Sequence, residues 1–109
     1  MGDACLRWFG GALRRHFRRE VDFLARLGGE EFVVMLPGVT EPEAARLAEA
    51  LRADVAASPC RVEALTVPLT VSVGVAALDP AAPGDTFKRA DRACYAAKEA
   101  GRDRVVTSG

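Results

Sequence analysis

Two adjacent carboxylates, Glu30 and Glu31, follow a pair of glycines, Gly28 and Gly29, between two short apolar runs. Carboxylate oxygens are the ligands that hard cations such as Mg²⁺ prefer, and glycine, which has no Cβ, lets a phosphate or a base approach the backbone closely. Because successive side chains near a strand point to opposite faces, we expect the two glutamates to serve separate roles. The alternative is an ordinary polar turn, in which glutamates are common.

Two cations, Lys98 and Arg102, are four residues apart near the predicted end of the last helix. The guanidinium is a planar fork and the ammonium is a point charge, so together they could hold phosphate oxygens. The alternative is that both cations lie there because the carbonyl end of a helix favours positive charge.

An RxxD step runs from Arg19 to Asp22, just before the first apolar run. Its Arg could stack on a purine or hold a phosphate while its Asp accepts the N–H pair of a guanine-type base. The alternative is a surface ion pair worth less than about 1 kcal/mol. The single histidine, His16, has no sequence partner at catalytic spacing, so we expect it at the surface, and no Ser/His/Asp or Cys/His constellation can be assembled.

The elements that must position these residues follow from the apolar pattern of the first half of the chain. Asp3 can cap a helix that runs to about residue 17. Two strand-like runs, 21–27 and 32–36, flank the glycine pair and predict a β-hairpin. A capping box at residues 40–43 predicts a second helix that ends near residue 58.

The second half of the chain predicts further strands and a last helix. Apolar residues alternate from 65 to 75, which indicates one strand or two strands that turn near Pro68. Asp85 can cap a helix that ends at Gly101, and a short edge strand is expected at 105–106. The inner face of that helix is predicted to consist of Phe87, Ala90, Cys94 and Ala97.

Length and composition limit the class of protein. The chain has 109 residues with 15 basic and 15 acidic side chains, so one compact domain is expected and a nucleic-acid-binding role is disfavoured. No apolar run approaches the ~20 residues that span a bilayer, and no signal-peptide pattern begins the chain. Three scattered cysteines argue against a disulfide scaffold or a zinc site, so we expect buried thiols in a cytoplasmic protein. The element order predicts a single α/β (α+β) domain with helices packed on a mixed or antiparallel central sheet.

Four blocks of the sequence resemble one family. Residues 25–32 (ARLGGEEF) resemble the signature of the GGDEF domain in its GGEEF form. Residues 2–6 (GDACL) resemble the end of the family's GHxxGDxxL segment, and residues 70–76 (TVSVGVA) resemble its central strand. Residues 89–105 resemble its RADxAxYxAKxxGRxxV tail. These blocks occur in the family's order and together cover nearly the whole chain.

The resemblance implies a nucleotide-cyclase or polymerase-palm-like fold and diguanylate cyclase activity. Two GTP molecules, one on each subunit of a homodimer, would condense to cyclic di-GMP and two pyrophosphates, with Mg²⁺ or Mn²⁺ at the phosphates. By position, Glu30 would be a metal ligand and the candidate base for the 3′-hydroxyl. Glu31 would support the same metal and nucleotide site.

The resemblance also implies substrate-binding roles by position. Asp3 would accept hydrogen bonds from the guanine edge. Gly28 and Gly29 would let the nucleotide lie against the hairpin, and Lys98 and Arg102 would hold its terminal phosphates.

Arg19 and Asp22 fall where the family carries its product-inhibition site, so the resemblance implies that they bind cyclic di-GMP. The family often adds a further Arg from the helix after the signature. Near that position this chain has Ala50, with Arg46 and Arg52 on either side. Feedback binding is therefore expected to be weakened.

The sequence departs from the family's pattern at its start. The family has a strand with a metal-binding Asp and then an FKxxND segment, and this sequence begins after both. The resemblance therefore implies that residues 1–109 are the signature-bearing part of the domain, without the first strand and the helix that follows it, and that its cyclase activity is weak or absent. Two alternatives remain: a regulatory module that binds GTP or cyclic di-GMP without turnover, and a truncated product with no independent function.

Overall fold

The structure is a computed structural model that describes residues 3–28 and 31–108. Three helices and six strands occur in these residues. In chain order they are α1 (Asp3–His16), β1 (Phe23–Gly28), β2 (Glu31–Met35), α2 (Glu41–Ala57), β3 (Cys60–Val62), β4 (Leu65–Val67), β5 (Ser72–Val75), α3 (Pro83–Glu99) and β6 (Arg104–Thr107). None of these helices is both long and apolar enough to cross a bilayer.

The first two helices begin and end close to the predicted residues. Helix α1 starts at Asp3, an acidic residue in the first turn, where the helix dipole favours negative charge. Helix α2 is capped by Thr40, whose Oγ1 accepts a hydrogen bond from the Glu43 N–H at 3.3 Å. The capping-box prediction is therefore confirmed at its Thr.

Helix α3 differs from its prediction in cap and in buried face. Asp85 does not cap it; its carboxylate, in the first turn, accepts a hydrogen bond at 3.1 Å from Nε of Arg89, one turn further along the helix. Phe87 is 44 % exposed, so its assignment to the inner face was wrong. The neighbouring Thr86 is buried instead, because its Oγ1 bonds to the Asp79 N–H and the Ala82 carbonyl and turns that side of the helix inward.

The end of α3 follows the prediction. Gly101 has a φ of 122°, in the region that side chains rarely adopt. Beyond it, the Arg102 N–H donates to the Ala97 carbonyl at 2.9 Å, which satisfies a carbonyl of the last turn.

The strands pair two by two. Strand β1 is antiparallel to β2, β3 is antiparallel to β4, and β5 is parallel to β6. Both pairing directions occur, as expected for a mixed sheet, but within residues 3–28 and 31–108 no ladder joins the pairs into one central sheet. The apolar alternation from 65 to 75 is split into β4 and β5 near Pro68, which has no N–H to donate to a ladder.

The main core joins α1, α2 and the hairpin. Its buried members are Phe9, Ala12, Leu13, Phe17, Leu51 and Val55. Side chains on one face of the hairpin pack against this cluster, and the rings of Phe9 and Phe32 meet edge to face with centroids 5.2 Å apart. This contact places the hairpin beside α1.

Strand β5 and α3 approach each other closely at Gly74. A Cβ at this position would collide with the Ala90 carbonyl oxygen and the Cys94 amide nitrogen. Only glycine fits here, so the packing of α3 on β5 depends on this residue.

Candidate functional site

Strands β1 and β2 form the hairpin that carries the GGEEF signature. Glu31 is the first residue of β2 and is exposed. In the antiparallel register Gly28 is opposite Glu31 and Arg26 is opposite Phe32, with a bulge between Arg26 and Gly28. Glu31 is exposed while Phe32 is partly buried against the core, so these two neighbouring side chains point to opposite faces. Gly29 and Glu30 lie outside the described residues, and their roles remain predictions.

An open cleft of about 430 Å³ lies between α1 and the hairpin. It is lined from α1 by Asp3, Leu6, Arg7, Gly10 and Arg14, and from the hairpin by Arg26 and Phe32. The structure thus brings the predicted guanine-binding Asp3 to the wall opposite the signature strands. Three arginines and one carboxylate make the lining electropositive, which suits an anionic ligand.

The cleft arginines were not singled out from the sequence as site residues. Arg7, Gly10 and Arg14 recur at intervals of three and four, so they share one face of α1 with Asp3. Arg14 folds back along the helix, with Nη1 3.6 Å from the position that a Gly10 Cβ would occupy. The helical spacing of Arg7 and Arg14 was the sequence signal that could have identified them as cleft residues.

Lys98 and Arg102 are exposed at the end of α3 and do not line this cleft. Arg102 and Asp103 have positive φ values of 65° and 45°. Asp103 is held from α2, since its Oδ1 accepts a hydrogen bond from Arg52 Nη1 at 2.8 Å. Both predicted phosphate ligands are therefore at the end of α3, and neither is among the described residues that line the cleft with Asp3.

Arg52 is engaged on α2 as well. Its Nε donates to both carboxylate oxygens of Glu49, at 2.8 and 2.9 Å. This hydrogen bond lowers the pKa of Glu49, and the bonds to Glu49 and Asp103 raise the pKa of Arg52. Arg52 is thereby tied to two carboxylates, whereas Arg46 and Ala50 are exposed.

The RxxD step forms a closed turn. Arg19 Nε donates to Asp22 Oδ1 at 2.8 Å, its N–H donates to Oδ2 at 3.1 Å, and its Nη2 donates to the Pro37 carbonyl at 3.0 Å. The Asp22 side chain is only 4 % exposed, whereas that of Arg19 is 48 % exposed. The ion pair that the sequence analysis gave as the alternative to a ligand site is thus present. Of the two side chains, Arg19 offers the larger exposed surface to a ligand.

Residues 1–104 match the family model of the diguanylate cyclase GGDEF domain. The chain belongs to the GGDEF family. It is 44 % identical over 105 residues to the diguanylate cyclase DgcP of Pseudomonas aeruginosa, covering 95 % of this chain and 16 % of that protein. It is 43 % identical over 114 residues to the response regulator PleD of Caulobacter vibrioides, covering 97 % and 24 %. The chain therefore spans less than a quarter of the length of either relative.

Solved GGDEF structures share the fold of this domain. The GGDEF domain of DgcB from Caulobacter crescentus, in complex with c-di-GMP, superposes with a TM-score of 0.86 at 30 % identity, covering 94 % of this chain and 62 % of that one. The active GGEEF domain of a diguanylate cyclase from Vibrio cholerae gives 0.80 at 27 % identity, covering 98 % and 68 %. The expected mixed α/β fold of the family is confirmed.

His16 of this GGDEF domain is not the unpaired surface residue that we expected. Its side chain is 23 % exposed, and Nε2 lies 2.8 Å from Asp54 Oδ2 on α2. Asp54 Oδ1 also accepts a hydrogen bond from Ser58 Oγ at 3.3 Å. The bond to His16 lowers the pKa of Asp54. Because Ser58 bonds to Asp54 and not to His16, the three residues form a link between helices, not a nucleophile–base pair.

The cysteines of the GGDEF domain are free thiols, as expected. Cys5 on α1 and Cys60 on β3 are both buried. A hydrogen bond between their thiols raises the pKa of Cys60, so its thiol stays protonated and the residue acts as a small apolar group.

Proposed function

We propose that this GGDEF domain binds GTP and belongs to a cytoplasmic diguanylate cyclase that makes cyclic di-GMP. Family membership and the identity to DgcP support the reaction class. The observation that carries the proposal is the cleft, in which Asp3 of α1 and the signature strands form opposite walls of one opening.

The chemistry of the cleft walls supports binding of the nucleotide in this opening. The Asp3 carboxylate, exposed at the start of α1, would accept the N–H groups of guanine. Gly28 and Gly29 would let the nucleotide lie against the hairpin. Lys98 and Arg102, both exposed at the end of α3 and outside the lining of the cleft, would hold the terminal phosphates as a point charge and a planar fork.

The carboxylates of the hairpin fit a magnesium ion. Magnesium in phosphate chemistry is commonly held by one or two carboxylates together with the substrate's phosphates. Glu31 offers one exposed carboxylate, and Glu30 would offer the second. Within the described residues no group of three His, Cys, Asp or Glu side chains could hold a metal ion. The phosphates of the substrate would complete the ligand set. When bound, the ion would neutralise charge on the phosphates.

The proposed reaction requires two copies of the domain. The 3′-hydroxyl of one GTP forms a bond to the α-phosphorus of the other, and the bond from that phosphorus to the bridging oxygen of pyrophosphate breaks. Glu30 would take the proton of the 3′-hydroxyl. Repeating the step in the opposite direction closes the ring, so two sites must face each other in a homodimer.

The purified chain, incubated with GTP and Mg²⁺ or Mn²⁺, tests the proposal by chromatography of the products. We expect cyclic di-GMP at a rate below that of an intact cyclase, and we expect Glu30→Gln to abolish it, because the amide cannot accept the proton. Arg18→Met, which alters an exposed arginine outside the cleft, is the matched control and keeps the activity. Product formation unaffected by Glu30→Gln contradicts the role of that residue.

A regulatory module that binds cyclic di-GMP without turnover is the second candidate, favoured by the RxxD turn. Asp22 and Pro37 hold the Arg19 guanidinium in place, while nearly half of its side chain remains exposed. If the chain binds cyclic di-GMP, makes none from GTP, and loses the binding in Arg19→Ala but not in Glu30→Gln, the regulatory function replaces the catalytic one.

A further inference from the structure

One face of α1 carries a charge pattern of which the proposed roles above use Asp3 and leave Arg7 without a role. Asp3 and Arg7 are four residues apart, so they lie one helical turn from each other, and both line the cleft. Residues at this spacing can form an ion pair. In the described part of the chain neither side chain has a hydrogen bond or an ion pair, with the other or with a third residue. Both are therefore available to a ligand in the cleft.

This pair of charges is complementary to the edge of a guanine base. Guanine presents two adjacent N–H donors, at N1 and N2, next to two acceptors, O6 and N7. A carboxylate accepts from the donors, and an arginine can donate two hydrogen bonds to O6 and N7. We propose that Arg7 is a specificity-determining residue that donates to O6 and N7 of the guanine whose N–H groups Asp3 accepts. The inference rests on the proposed binding of GTP.

The pattern would exclude adenine. Adenine has an amino group where guanine has O6, and this donor would face the donors of Arg7. Adenine also has no N–H group at positions 1 and 2, where the Asp3 carboxylate would accept, so charged groups on both sides of the base would lose their partners. Arg7 would thus contribute to the choice of base as well as to affinity.

The walls of the cleft support this assignment. On the hairpin wall of the cleft, opposite Arg7, the ring of Phe32 packs against the ring of Phe9, and this contact fixes its position. Gly10 adds no side chain to the α1 wall, and the Arg14 guanidinium lies over it. Arg14 is seven residues beyond Arg7, about 10 Å along the helix axis. It is therefore better placed for the anionic part of a nucleotide than for the base that Asp3 binds.

The experiment compares GTP with 7-deaza-GTP, in which N7 is replaced by C–H while O6 and both donors remain. Binding of each to the purified chain is measured by calorimetry for the unchanged protein, Arg7→Met, Arg14→Met and the control Arg18→Met. We expect the unchanged chain to bind 7-deaza-GTP about 5- to 10-fold more weakly than GTP. Arg7→Met should bind GTP about 10-fold more weakly and no longer distinguish the two nucleotides. Arg14→Met and Arg18→Met should keep the distinction.

Several outcomes overturn the inference. Equal binding of both nucleotides by the unchanged chain, or an unchanged preference in Arg7→Met, removes Arg7 from base recognition while GTP binding itself still supports the proposed function. Loss of the preference in Arg14→Met alone assigns the contact to Arg14. If the unchanged chain binds no guanine nucleotide, the proposed function fails and the inference fails with it. Since Arg7 is exposed, circular dichroism of Arg7→Met should show the fold of the unchanged protein.

Discussion

Arg102 has a backbone conformation that few side chains adopt. Its φ is 65°, and the left-handed region costs a residue with a Cβ about 1 kcal/mol relative to glycine. Such strain at a surface position motivates a functional hypothesis for the residue. The proposed phosphate contact is such a hypothesis, because the strained turn presents the guanidinium just beyond α3.

Replacing Arg102 with glycine or alanine separates strain from function. We expect Arg102→Gly to be more stable than Arg102→Ala by about 1 kcal/mol in urea unfolding, because glycine accepts the left-handed conformation. Both variants should bind GTP more weakly than the unchanged chain, since both lose the guanidinium. Equal stability of the two variants would argue against strain, and GTP binding of unchanged strength would argue against the phosphate contact.

At the scale of elements, the sequence patterns predicted correctly those helices and strands that depend on interactions between residues close together in the chain. Helix α2 begins where Thr40 caps it, and β1 and β2 pair antiparallel as the hairpin prediction requires. The errors depend on packing between distant segments. Phe87 was assigned to the core by hydropathy, but hydrogen bonds to Asp79 and Ala82 bury Thr86 instead. Strand β3 was missed because three residues directly after a helix carry too little pattern.

The predicted site shows the same division between local and distant information. The signature and its resemblance identified Asp3 and the hairpin, whose placement on one cleft is seen in the structure. The arginines of the cleft were missed because a helical stripe of arginines also describes a solvated helix face. His16 was misplaced because its partner, Asp54, is 38 residues away on another helix.

The contact between α3 and β5 is the element-scale feature most sensitive to a single methyl group. A Cβ at Gly74 would overlap backbone atoms of α3, which cannot move as the end of a side chain could. We expect Gly74→Ala to destabilise the domain by about 3 kcal/mol in urea unfolding. Gly11→Ala is the matched control: among the described residues its Cβ would have Arg15 Nη1 as its one neighbour, at 3.6 Å, and the substitution should stabilise α1 by about 1 kcal/mol. A Gly74→Ala variant as stable as the unchanged chain would show that α3 can shift away from β5.

For the molecule as a whole, α2 connects parts that the strands do not join. Its Leu51 and Val55 are buried in the core with α1. From the same helix, Arg52 reaches Asp103 in the turn between α3 and β6, and Asp54 reaches His16 at the end of α1. Because no ladder links the hairpin to β5 and β6 within the described ranges, these polar links and the core around α2 hold the two sides together.

The link between Asp54 and His16 makes the stability of the whole domain depend on pH in acid. The bond to His16 lowers the pKa of Asp54 below its ordinary value of 3.8. A carboxyl whose pKa is lower in the folded state stabilises that state above its ordinary pKa, and the contribution is lost as the pH falls from there through the lowered pKa. We therefore expect Asp54→Asn to be less stable than the unchanged chain at about pH 5, with the difference shrinking as the pH falls below 3.8. Urea unfolding at a series of pH values measures this difference.

The control is Ser58→Ala, which removes the other hydrogen bond of Asp54 and keeps His16. This variant should retain most of the acid dependence, since the bond from His16 is the larger cause of the lowered pKa. If the difference between Asp54→Asn and the unchanged chain stays constant below pH 3.8, the carboxylate of Asp54 does not hold α1 to α2.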